Sequence, residues 1–240
     1  MADTRVYRIL GMVSQVALVA VAGCGGPHIK VPAEYDEGMD LLTADGRDDF
    51  TEDGAEEEYQ LGPYRIHGVQ RNLSGLKGFD MFEGFEPDKK GGYRYSLSGG
   101  GAHKLTGKCA IRSAQADKEL DGSLTTQEQA SLGCTCEAKN KSVAHVFVED
   151  LAGEYGGPLV VGNQQARATG VYRLDNDDKV KGRPAGYIIE DTEGAVAAAD
   201  VLPGEGHVWV KQGIEEPSRR RLVCAIAGLM LWPTKPQAAD

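Results

Sequence analysis

Apolar positions in this chain fall into three regimes. Near the start, a run from Ile9 to Ala22 is interrupted only by Gly11, Ser14 and Gln15. At the far end, every residue from Leu222 to Trp232 is apolar or glycine, and Pro233 follows. Between them the apolar residues come in short pieces. Tyr59-Gln60-Leu61, Tyr64-Arg65-Ile66, Tyr93 to Leu97, Val143 to Val148, Leu159 to Val161, Val171 to Leu174, Tyr187 to Ile189 and Val208 to Val210 all suit strands. They are separated by turn-forming stretches such as Gly99-Gly100-Gly101, Gly156-Gly157-Pro158, Asp175 to Asp178 and Pro203-Gly204. Short strands with regular punctuation predict an antiparallel, mainly β domain over residues 59–240, a size that supports one core. Glu215-Glu216-Pro217-Ser218 places acids and a proline where a helix would begin. The terminal run therefore reads as a helix, with a buried strand as the alternative. A helix apolar on every side must be enclosed, and eleven residues reach only about half a bilayer core. The expected fold is a curved antiparallel sheet or barrel packed around this C-terminal helix.

The first run has the order of a secretory signal. Arg5 and Arg8 precede the apolar stretch, and small residues lead into a cysteine. Val21-Ala22-Gly23-Cys24 resembles the lipobox of bacterial lipoproteins. That resemblance implies a signal peptide over residues 1–23 and acyl chains, palmitate among them, on Cys24. At about 0.8 kcal/mol per buried methylene, two or three chains hold a protein on a membrane permanently. The resemblance further implies the bacterial cell envelope. Gly25 after the cysteine, rather than aspartate, is the pattern of outer-membrane cargo.

Charge divides the rest. The formal net charge is −10, yet Glu34 to Glu58 holds twelve acids and only one base, Arg47. So dense a charge predicts a disordered acidic tether over residues 24–58, extended by self-repulsion. The remainder is almost neutral, which argues against a nucleic-acid partner.

With Cys24 assigned to lipid, Cys109, Cys134, Cys136 and Cys224 remain, an even number suited to disulfides in an exported domain. Cys134-Thr135-Cys136 has one intervening residue, too few for a zinc or redox motif. A hairpin folded about Asp121-Gly122 would set Cys109 opposite Cys134. Cys224 then pairs with Cys136 or stays a buried thiol. Around the same turn, Asp117, Glu119, Asp121, Ser123 and Glu128 fall at EF-hand loop spacings, with Gly122 at the sharp bend. Glu119 is long for its place and Leu120 replaces a polar residue, so an Asp-Gly surface turn competes with calcium as the reading. Gly101 to Cys109 is one residue too long for a phosphate-binding loop and lacks its hydroxyl. His67, His103, His145 and His207 are scattered in sequence and form no motif.

A curved meander ending in Gly186 to Gly194, Ala195 to Leu202, Val208-Trp209-Val210 and an apolar helix resembles the tubby-like folds, including scramblase-like and LURP-one-like proteins. The likeness spans the last quarter of the chain and implies a β-barrel around a central helix, with no functional residue transferred. The function expected is a non-enzymatic envelope lipoprotein, anchored through Cys24, with a structural role or an envelope protein partner. A small-molecule or lipid-binding barrel is the alternative. No cofactor is expected apart from the calcium reading.

Overall fold

A computed structural model describes residues 26–35, 37–47, 57–71, 89–101, 103–120, 123–151, 153–202, 204, 206–232 and 237–238. The strands are β1 (Met39–Asp45), β2 (Glu57–Leu61), β3 (Tyr64–Arg71), β4 (Lys89–Ser98), β5 (Leu105–Leu120), β6 (Ser123–Ala138) and β7 (Lys141–Leu151). They continue as β8 (Glu154–Val161), β9 (Gln164–Val171), β10 (Val180–Lys181), β11 (Gly186–Asp191), β12 (Gly194–Asp200) and β13 (Gly206–Lys211). Helix α1 (Glu216–Met230) and strand β14 (Gln237–Ala238) complete the chain. Twelve strands close an antiparallel barrel in the order β1-β13-β12-β11-β9-β8-β7-β6-β5-β4-β3-β2, and β10 pairs with β14 apart from it. The lipobox residues Val21 to Cys24 lie outside the described residues.

Alternation builds the wall. Along β13, Gly206, Val208 and Val210 are buried while His207, Trp209 and Lys211 are partly exposed, the period-two pattern of a sheet packed on one face. The helix occupies the interior. Every residue from Leu222 to Trp232 is buried, and Ile226 and Leu229 have no exposed surface. The Tyr93 hydroxyl donates to the Gly228 carbonyl and the Tyr95 hydroxyl to the Cys224 carbonyl, each at 2.5 Å. Gly228 is needed for that approach, since a Cβ there would sit 2.7 Å from Cys134 Sγ.

Two disulfides tie the same region together. Cys109–Cys134 links directly opposed residues of β5 and β6, and Cys136–Cys224 fastens β6 to the helix. The hairpin reading of the cysteines therefore holds, and Cys224 takes the paired alternative. The last helical carbonyls have no basic residue in their own turn, and such groups need partners when buried. Other segments supply them: Arg47 donates to the Met230 carbonyl at 3.0 Å and Arg71 to that of Leu231 at 3.0 Å. At the opposite end the Tyr64 hydroxyl donates to Glu216, and Arg219 pairs with Asp40 of β1.

Two expectations are corrected. The segment assigned to a tether, 24–58, contributes β1 to the barrel wall, with Leu42 and Ala44 buried and opposed to β13. Within β1, Asp45 is exposed and Asp40 pairs with Arg219 of the helix, so these charges coexist with the inward Leu42 and Ala44. The calcium-loop spacing is likewise overridden. Asp117, Glu119, Ser123 and Glu128 lie in a paired ladder, Asp117 opposite Thr126 and Glu128 opposite Gln115, with Asp121 outside the described residues. Extended strands alternate side chains between faces, whereas an EF-hand loop must curl its ligands around one point.

Candidate functional site

Outside the wall a second, smaller core forms. Ala197, Ala199, Val208 and Val210 face the main core, so Ala198 and Trp209, opposed across β12 and β13, face outward. Ile29 and Tyr35 cover this outer face, together with Leu174 and Ala185. Residues 26–35 thus form a strap laid on the barrel. Ile29 bridges to Leu174, the Lys30 amide donates to the Arg173 carbonyl, and the Asp175 amide donates to that of His28. Gly186 permits the contact, because a Cβ there would come within 2.7 Å of the Ile29 side chain.

Asp200, at the end of β12, is the polar centre of this arrangement and is 1% exposed. Its Oδ1 accepts the Ile29 amide at 2.8 Å, and its Oδ2 accepts His28 Nδ1 at 2.8 Å and the His207 amide at 3.1 Å. Burial pushes the carboxyl above the usual carboxylate range, while the hydrogen bonds from Ile29, His28 and His207 pull the other way. The His28 and His207 rings stack with centroids 3.8 Å apart, and Trp209 meets His207 edge-on at 5.5 Å. Arg47, also buried, donates to the Val201 carbonyl at 2.9 Å, directly beside the carboxylate's own backbone. Among the described residues, His28, Asp200 and His207 bring two imidazoles and a carboxylate together, with one donor atom of each within 4.8 Å of the others. The His28 side chain is 20% exposed, so the cluster opens to solvent on one side.

None of this was legible as a motif. His207 stood among scattered histidines, and His28 lies 172 residues from Asp200 in sequence. The one usable signal was the unbroken apolar stretch from Ala195 to Ala199, since a strand apolar on both parities is covered on both faces. His67 and Lys104 instead line an open groove of about 320 Å³ with Gln70, Arg94, Ser96 and Thr106. A second groove of about 310 Å³ runs past Asp191, Lys211, Ile214 and Glu215. Both are surface features lined largely by polar side chains. Comparison with known proteins finds no family model, no curated protein and no solved structure that matches this chain.

Proposed function

We propose that this chain is a non-enzymatic lipoprotein of the bacterial envelope, a rigid barrel held close to its membrane for protein contact. The observation that carries the reading is the docked strap. His28, Ile29 and Lys30 are bonded to the barrel, and Cys24 lies only four residues before His28. Four extended residues span at most about 14 Å, so acyl chains on Cys24 would hold this rim of the barrel beside the headgroups. A barrel around a helix is also what the tubby-like resemblance implies. The helix-filled interior argues against the alternative of a lumenal lipid or small-molecule site, because bound ligands of that kind need a cavity of several hundred Å³.

Replacing Cys24 with serine and expressing both forms in a bacterial host with labelled palmitate tests the anchor. The wild type is expected to carry the label and partition with membranes, and the variant to lose the label and appear in the soluble fraction. Undiminished labelling of Cys24→Ser would overturn the reading.

A further inference from the structure

We propose that His28, Asp200 and His207 form a binding site for one divalent transition-metal ion of the zinc class, which locks the strap to the barrel. The donor chemistry selects the ion. Two imidazoles and one carboxylate suit zinc, copper(II) and nickel(II), whereas calcium and magnesium require oxygen donors throughout. The placement selects the consequence. His28 belongs to the strap, and Asp200 and His207 belong to adjacent strands β12 and β13, so an ion held by all three joins the two parts.

The cluster is largely assembled. The His28 Nδ1 and Asp200 Oδ2 atoms are 2.8 Å apart, and the three donors lie within 4.8 Å of one another. Donors of one tetrahedral zinc ion sit roughly 3.3–3.5 Å apart, given bonds of about 2.0–2.2 Å. The 2.8 Å His28–Asp200 pair must therefore widen by about half an ångström, and separations near the 4.8 Å limit must close by roughly 1.4 Å. The rings stack in planes only 23° from parallel, so their in-plane donor directions must tilt to meet at one ion. Binding therefore turns the rings out of the stack until the lone pairs converge. The proton on His28 Nδ1 goes to solvent as that nitrogen takes the metal. Asp200 Oδ2 becomes a ligand while Oδ1 stays on the Ile29 amide, and that hydrogen bond orients the carboxylate as outer-shell partners do in metal sites. Water completes the coordination. This inference is independent of the lipid anchor.

The full chain, purified in detergent and stripped with a chelator, is titrated with Zn²⁺ by calorimetry. The expected result is one ion per chain with a Kd of micromolar or tighter. His207→Ala and His28→Ala are each expected to weaken binding at least tenfold, the scale seen when metal-site partners are removed. A triple variant, His67→Ala with His103→Ala and His145→Ala, is expected to bind as the wild type does. His207→Gln keeps the strap's bonds to Asp200, so it separates a lost ligand from a lost strap. X-ray absorption at the zinc edge of the wild type provides a readout free of variants, with two imidazoles and oxygen ligands expected. Absence of saturable binding below about 1 mM would overturn the proposal. So would one-site binding that survives both histidine substitutions, or displacement of Zn²⁺ by an equal concentration of Ca²⁺.

Discussion

The barrel interior and the strapped outer face are both buried cores, but they are held by different means. Inside, a helix buried over Leu222 to Trp232 is fixed by the Cys136–Cys224 disulfide, by two tyrosine hydroxyls on its carbonyls and by Arg47 and Arg71 at its end. Outside, Leu174, Ala185 and Ala198 are covered by Ile29 and Tyr35 of a strap whose main polar tie is Asp200. The interior is redundant and covalently bound, so it must open with the whole molecule. The outer core depends on a few contacts and a single carboxylate, so it can open alone. Local openings of this kind come from regions with little buried apolar surface. Arg47 joins the two regions, donating both to Met230 of the helix and to Val201 beside Asp200.

The largest test of this contrast is alkaline titration. Burial raises Tyr93, Tyr95 and Tyr187 well above the ordinary tyrosine value, and Tyr64 is pushed up to about 12 by burial and by Glu216. In the unfolded chain these phenols ionise near pH 10. The stability they contribute is therefore complete below pH 10 and lost as pH rises beyond it toward the folded values. Tyrosinate absorbance from these residues should grow in step with the loss of near-ultraviolet circular dichroism, as one cooperative unfolding. Ionisation of Tyr93 and Tyr95 in an intact barrel would break the comparison.

Next in size are Ile226→Ala and Leu229→Ala. Both residues are fully buried, and each truncation should cost about 2–5 kcal/mol of global stability in denaturant titrations. A cost under half a kilocalorie would mean that the helix is not packed as the wall requires.

Asp200→Ala should be smaller and confined to the outside. Loss of the acceptor leaves the Ile29 amide unpaired, a cost of about 1–3 kcal/mol. Hydrogen exchange at Ile29 and Lys30 should quicken while the amides of α1 remain as protected as before. Equal loosening of helix and strap would show that the two cores are one.

The strands with clear alternation or β-branched runs were legible in the chain, among them β3, β4, β7, β8, β11 and β13, and so was the terminal helix. Their patterns are local, because burial on one face writes itself into every second residue or, when total, into every residue. The Cys109–Cys134 pairing was also legible, since a hairpin read about Asp121-Gly122 opposes the two by register alone, as the β5–β6 ladder does. Strand β1 was hidden because its two inward residues, Leu42 and Ala44, lie among acids whose summed charge reads as disorder. The helix-end caps, the strap and the grouping of His28, Asp200 and His207 were decided only by the tertiary structure. They join positions more than a hundred residues apart, and no local propensity encodes which distant strand closes a barrel or which face a terminal segment will cover. The sequence by itself determined what must be buried; the closure of the wall determined which polar groups were carried in with it and had to find one another there.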